Sequence, residues 1–354
     1  MRRVKDITNT EFHPVCKLDR YSGNPILKPR ISLNWEAKSV FNAGAILLDG
    51  RIHLLYRTTS DDDISYLGYA ASEDGFAFNI RPTSPAYVPR EAFEGVRQPQ
   101  LPPPTSNPYA SGGIAGGCED PRLTLIDDRL YLTYVAYDGR NPPRIAVSSI
   151  TKSDFLSQRW NWRKAMLISR PGVVDKNPAL FPEKIGGCYV LLHRVYPDIL
   201  IDFLEDLEFK CHSCWLKGES RISSRPGNWD SRKCGAGPPP IKTKLGWLLI
   251  YHGVDDSDEG RYKIGAMLLK PDNPSQVLAR LNKPLLEPDA EYENVGWKTG
   301  VVYPCGAVVL GERLIVYYGG ADRWLCAASI TLNKLLDALV SNTYSMTEGE
   351  LEKP

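Results

Sequence analysis

Asn42-AGAILLDGRIHLLY-Arg57, followed after a short polar loop by Ile64-SYLGYAASEDG-Phe76, is the stretch that decides the fold. An apolar run, an Asp-Gly turn, a second apolar run ending in an aromatic residue, and a third run read as three short strands joined by tight turns. The same layout returns at Asp120–Val135 with Pro143–Phe155, Asn177–Arg194 with Asp198–Phe209, Gly235–His252 with Tyr262–Pro274, and Tyr303–Gly320 with Trp324–Leu336. The ends of the second runs, Tyr56, Tyr134, His193, Tyr251 and Tyr318, are spaced 78, 59, 58 and 67 residues apart. Each unit has three strands and room for a fourth, too little to bury both of its own faces. Five such units stacked radially make an all-β five-bladed β-propeller. The expectation is one domain over 1–354, with blade units near 42–80, 119–160, 176–211, 235–280 and 301–339. Helical spacing occurs only over Leu332–Val340, which predicts a short C-terminal helix, with Glu348–Pro354 frayed. Pro102–Gly117 and Arg221–Gly237 read as long loops between units.

Composition narrows the function. The 354 residues carry 43 Lys+Arg against 42 Asp+Glu, a net charge of +1 that gives no overall field for a polyanion or a membrane surface. No apolar run approaches a membrane span, and Met1–Arg3 leads into Lys5, Asp6 and Asn9 where a signal peptide needs an apolar stretch. A cytoplasmic protein with no nucleic-acid or membrane partner is expected, a homo-oligomer being left open. Eight cysteines are too sparse for a disulfide scaffold. Cys211-His212-Ser213-Cys214 has the spacing of half a zinc site, but nothing completes it; it reads as two structural thiols, and no metal is assigned.

Propeller geometry specifies one rim, because first strands line the axis and their starts share a face with the loops between second and third strands. Strand starts supply Asn42, Asp120, Lys176 with Asn177, and Lys233. Second-strand ends and their loops supply Arg57, Arg194, His252 and Asp322, and third-strand starts add Arg144, Tyr262 and Trp324. Two acids and up to five cations in one mouth are costly to desolvate without a ligand, which marks a candidate site. Asn42 and Asp120 fall at the same repeat offset. Pro121 is expected to restrict Asp120 to extended geometry and so fix the direction of its carboxylate. Strand alternation turns Glu119 to the opposite face, toward Arg122, and leaves Glu183 near an inner-strand end as a structural group.

Gly117-CEDPR, Asp175-KNPALFPEKIGG with Leu191-LHR, Gly235-AGPPPIKT with Gly246-WLLIYHGV, and Pro304-CGAVV with Tyr317-YGGAD together resemble glycoside hydrolase family 130. The similarity runs from about Asn24 to about Leu336, with several motifs in order. The resemblance implies a five-bladed propeller that cleaves β-mannosidic bonds, mostly by phosphorolysis and in some branches by hydrolysis. It implies Asp120 as general acid, reaching the glycosidic oxygen directly or through a sugar hydroxyl. Asn42, Arg57 and Asp322 would hold the mannosyl unit, while Lys176, Arg194, Lys233, His252 and Tyr262 would bind phosphate. Lys176 stands where phosphorylases of the family often have Arg; it keeps the charge and loses the bidentate fork.

Physical reasoning agrees. Inverting hydrolysis needs a second carboxylate to deprotonate water, whereas phosphate is already an anionic nucleophile and needs cations instead. The leading expectation is an inverting β-mannoside phosphorylase giving α-mannose 1-phosphate, with a small carbohydrate and inorganic phosphate as co-substrates and no cofactor. The alternatives are a β-mannosidase on the same scaffold, or a non-catalytic binding propeller. Trp35, Trp229 and Trp324 could stack on sugar faces, although packing is the stronger reading for each. The linkage, β-1,4 or β-1,2, and the acceptor sugar are not encoded in these motifs.

Overall fold

A computed structural model of the protein describes residues 16–96, 109, 111, 116–209 and 215–351. These are mostly β-strand, as expected. After β1 (Asp19–Arg20), the first unit folds as β2 (Ser39–Leu48), β3 (Arg51–Thr59) and β4 (Ile64–Ser72). The second is β5 (Gly116–Ile126), β6 (Arg129–Tyr137), β7 (Arg144–Thr151) and β8 (Met166–Leu167). The third is β9 (Lys176–Leu180), β10 (Tyr189–Val195), β11 (Asp198–Leu204) and β12 (Ser220–Ile222). The fourth is β13 (Lys233–Ala236), β14 (Ile241–Thr243), β15 (Gly246–Asp255), β16 (Asp258–Leu269) and β17 (Val277–Arg280). The fifth is β18 (Val302–Leu310), β19 (Arg313–Gly320) and β20 (Trp324–Thr331).

Within each unit the strands pair antiparallel with their sequence neighbours, except that β13 and β14 both pair with β15. The β2–β3 turn is Asp49-Gly50 with φ of +48° and +76°, the left-handed pair that a two-residue hairpin needs. β4 and β5 run parallel for two residues, Ile64↔Gly116 and Ser65↔Gly117, which joins the first two units into one seven-stranded sheet. Only glycine fits at 117, since a Cβ there would lie 2.3 Å from the Ser65 carbonyl oxygen. At the other end of the chain, β1 pairs with β20 and supplies the fifth unit's fourth strand.

The apolar core lies between units. Val40, Ile52 and Tyr56 pack with Ile315 and Tyr317; Leu55 and Leu67 with Leu130 and Tyr134. Ile145 and Val147 meet Leu180 and Leu191; Ala179 and Leu192 meet Trp247 and Leu249; Leu248 and Ile264 meet Val302 and Val316. Each sheet is therefore covered on both faces. That explains why Ile52–Tyr56 is buried at every position, His53 included, and does not alternate.

A polar staple repeats along with the strands. Tyr56 donates to Glu36 at 3.0 Å, Tyr251 to Asp230 at 2.7 Å, Tyr318 to Glu293 at 2.8 Å, and Tyr134 to Glu94, while His193 meets Asp175 at 2.8 Å. Every acid precedes the first strand of the unit it staples and is buried. The residues that mark the repeat in the sequence are the ones that pin each unit's entry segment to its second strand. Leaving such a buried hydroxyl or acid without a partner costs about 1–3 kcal/mol.

Two expectations need correcting. The C-terminal helix runs Leu332–Leu351, past the expected end at Val340. Arg221–Gly237 is more than a loop: it holds the end of β12, the staple acid Asp230 and β13. Most of Pro102–Gly117 and all of Cys211–Cys214 lie outside the described residues.

Candidate active site

Bulges in the first strands aim the site. The β2–β3 register shifts between Phe41 and Gly44, and the β5–β6 register between Glu119 and Arg122. Asn42 and Asp120 sit at these irregular points and Asn177 at the corresponding shift of the β9–β10 register, with φ of +46°, +51° and +59°. Asn and Asp tolerate this left-handed region better than other side chains, which accounts for their recurrence there. Asp120 is thus not extended, contrary to what Pro121 implied, because the bulge overrides the proline's preference. The bulge also cancels strand alternation, so Glu119 and Asp120 reach the same guanidinium: Arg57 Nη2 lies 3.0 Å from Glu119 Oε1 and Nη1 lies 3.2 Å from Asp120 Oδ1. Glu119 is therefore not Arg122's partner; its second oxygen lies 3.5 Å from Lys176 Nζ. Arg122 instead donates to the carbonyls of Asp120 and Gly237 at 2.6 and 2.9 Å, tying the second unit to the fourth.

A cavity is lined by the amide of Asn42 and the acids Asp120 and Asp322, together with Lys176, Arg194, Tyr262 and Lys298. Asn42 Nδ2 donates to Asp120 Oδ1 at 2.8 Å. Arg57 is buried behind Asp120. Lys233 stands behind Tyr262 and donates to its hydroxyl at 2.6 Å. His252 is buried with its ring 4.7 Å from that of Tyr303 and 5.6 Å from that of Tyr262. All nine expected site residues are thus in the cavity wall or directly behind it. Arg144 and Trp324 are not: Arg144 donates to the Ser169 carbonyl and lies over Trp215, and Trp324 donates to the Val295 carbonyl. Trp229 packs against Tyr251, and Glu183 forms an exposed pair with Lys242 at 2.6 Å.

Sequence reasoning missed Ser111, Lys298, Val301 and Tyr303 in the lining. Lys298 lies in the loop before β18, where no strand register could place it. Tyr303 lies near the start of the fifth unit's first strand, but counting back from Tyr318 by the offset that finds Asn42 and Asp120 lands on Pro304, the next residue, so the repeat points to the neighbourhood and misses the side chain.

Electrostatics divides the cavity. Burial acts to raise Asp120, but Arg57, Arg122, the Asn42 hydrogen bond and Lys176 outweigh it and hold the carboxyl below its ordinary range. Asp322 is raised by burial, with Lys298 and Arg57 only partly opposing. Burial also favours neutral Tyr262, yet Lys233, Lys298 and Arg194 pull its hydroxyl down to about 8. Lys233 is lowered by burial and by Arg194 and Lys298. His252 is pushed well down by burial and the same cations, and neither of its ring nitrogens has a hydrogen-bond partner. Arg194 Nε is likewise unpartnered, and among the described residues no carboxylate forms an ion pair with Arg194 or Lys298. Such a wall can hold a compact dianion beside a single oriented acid. No group of three or more metal-ligating side chains occurs among the described residues, nor any helix long and apolar enough to cross a membrane.

A family model described as beta-1,4-mannooligosaccharide phosphorylase, that of glycoside hydrolase family 130, matches residues 17–341. The chain is 36% identical to 1,2-beta-oligomannan phosphorylase of Thermoanaerobacter sp., over 91% of this chain and 99% of that one. It is 34% identical to beta-1,2-mannobiose phosphorylase of the same organism, over 90% and 99%. The solved structure of beta-1,2-mannobiose phosphorylase from Listeria innocua, in complex with beta-1,2-mannobiose, superposes with a TM-score of 0.71 at 25% identity, covering 92% of this chain and 99% of that one.

Proposed function

The chain belongs to glycoside hydrolase family 130, and from that premise we propose that it is an inverting phosphorylase that transfers the mannosyl unit of a β-mannoside to inorganic phosphate, releasing α-mannose 1-phosphate. The observation that carries the reading is the pair of cations, Arg194 and Lys298, that line the cavity with Asp120 and form no ion pair with a carboxylate among the described residues, Asp322 opposing Lys298 only through its charge. A phosphate oxygen attacks the anomeric carbon from the cation wall, the bond to the leaving oxygen breaks, and Asp120 supplies that oxygen's proton. Asn42 and Asp322 hold the mannosyl unit, with Arg57 acting from behind Asp120; Lys176, Arg194 and Tyr262 hold the phosphate, with Lys233 and His252 supporting them from behind.

The electrostatics supports an order of events. With only its own cations nearby, Asp120 is held low and carries no proton near neutral pH. A dianion against Lys176 and Arg194 offsets those charges and raises Asp120's proton affinity, so the acid is armed when the nucleophile is in place. We read the five strand units as the blades of a single propeller whose first strands surround this cavity; the packing of each unit on its two neighbours supports that reading. The names of the two Thermoanaerobacter relatives favour β-1,2-linked manno-oligosaccharides as substrates.

Product analysis of β-1,2- and β-1,4-mannobiose digests, each with and without phosphate, tests both statements. Mannose 1-phosphate formed only with phosphate, and faster from the β-1,2 isomer, is expected. Fast release of mannose without phosphate would assign a hydrolase, with Asp322, the other carboxylate lining the cavity, activating water.

A further inference from the structure

The five staples differ in one respect. Four are tyrosines; the third is His193, and it alone bridges two acids. Its Nδ1 lies 2.8 Å from Asp175 Oδ2 and its Nε2 lies 2.8 Å from Asp202 Oδ2. Asp202 is itself fixed by the backbone N–H groups of Lys217 and Gly218 at 2.8 and 2.9 Å. Burial opposes a charge on the ring, but the hydrogen bonds and charges of Asp175 and Asp202 raise it to about 9, so it is an imidazolium at neutral pH.

The placement of this triad is specific. Asp175 directly precedes Lys176 and His193 directly precedes Arg194, and Lys176 and Arg194 are cross-strand partners where the β9–β10 register shifts. Both side chains then line the cavity. We propose that His193 is a positioning residue for the phosphate-side cations, its bridge between Asp175 and Asp202 fixing the β9–β10 irregularity that aims Lys176 and Arg194 at one anion. A tyrosine hydroxyl donates one hydrogen bond and accepts others, as Tyr56 does from Arg81 and Tyr251 from Arg280, whereas the imidazolium donates from both ends to two acids and so holds two carboxylates in one line. Two cations must converge on one small anion, and a displacement of an ångström is costly there. The inference rests on the phosphate reading of Lys176 and Arg194.

Steady-state kinetics of the full chain tests it. In His193→Gln, KM for phosphate should rise roughly 10-fold or more while KM for the mannoside changes less than about 2-fold. Tyr134→Phe, which weakens the staple of the second unit, a unit with none of the phosphate-side residues, is the matched control: it should lower Tm and leave KM for phosphate unchanged. Asp202→Asn, which keeps the Asp175 contact, should give the same phosphate-selective rise in smaller degree, and it stands in if His193→Gln does not fold. Equal changes in both KM values, or a phosphate effect in Tyr134→Phe as large as in His193→Gln, overturns the inference. So does an unmoved KM for phosphate in His193→Gln when Arg194→Ala raises it. If Arg194→Ala itself leaves KM for phosphate unmoved, the phosphorylase reading of the cation wall falls, and this inference with it.

Discussion

Asp120 and Arg194 face one cavity from different units, yet their surroundings are opposite. The Asp120 carboxylate accepts from Asn42 at 2.8 Å and Arg57 at 3.2 Å, and Arg57 is shared with Glu119. On the other side, Arg194 Nε and both nitrogens of His252 have no hydrogen-bond partner among the described residues, and Lys298, 4.1 Å from the Tyr262 ring centroid, forms no ion pair there and meets Asp322 only through its charge. The acid wall is satisfied by the protein's own groups, so its geometry is set by folding. The cation wall is only partly balanced by the protein, through Glu119 at 3.5 Å from Lys176 and the charge of Asp322 on Lys298, so its energetics depends on the ligand. Orientation matters most where a proton must be delivered, and net charge where an anion must be captured.

The contrast can be broken hardest at the acid. Asp120→Asn keeps the shape and the Arg57 contact but removes the proton donor, and kcat should fall by about 10²–10⁴ with Tm nearly unchanged. A variant retaining more than about a tenth of wild-type kcat would remove Asp120 from the mechanism.

Next in size is the other wall. Charge-assisted hydrogen bonds are worth about 1.5–3 kcal/mol, so Arg194→Ala should raise KM for phosphate roughly 10- to 100-fold and leave KM for the mannoside within about 2-fold. Parallel rises in both constants would make the two walls one structural unit and erase the distinction.

The smallest effect sharpens it. Tyr262 loses its proton near pH 8, and the phenolate adds negative charge where the phosphate dianion should sit. Phosphate kcat/KM should therefore decline as pH rises through about 8, at most about tenfold per pH unit. Lys233, also lowered, deepens the decline by losing its positive charge in the same direction. Tyr262→Phe keeps the ring under Lys233 and Lys298 and should move the alkaline limb upward. An unmoved limb would mean that Tyr262 does not titrate against the phosphate.

Much of this site was legible because the repeat is rigid. Tyr56 and Tyr134 mark equivalent points in two units, and counting back from them finds Asn42 and Asp120 at one offset. What escaped was whatever departs from regular strand geometry. A bulge of one residue reversed the expected side of Glu119, and alternation carries no sign of it. Lys298 comes from a connecting segment whose path depends on tertiary packing. The staple acids escaped for a different reason: they precede their first strands by anything from one residue, Asp175 before Lys176, to the whole stretch from Glu94 to Gly116, so no fixed spacing betrays them.

The pairing of β1 with β20 imposes an order in time. Asp19 meets Ser329, Arg20 meets Ala328, and Arg20 Nη2 lies 2.8 Å from Glu293 Oε2. During synthesis, the first of these residues leave the ribosome long before their partners exist. The edge of β20 stays unpaired until this early segment returns to it, a contact of very long sequence separation and a slow loop to close. Until then the last-made sheet presents a strand edge to any other chain, and β1, continued by Tyr21, Asn24, Ile26 and the Leu27–Leu325 bridge, is what withdraws it.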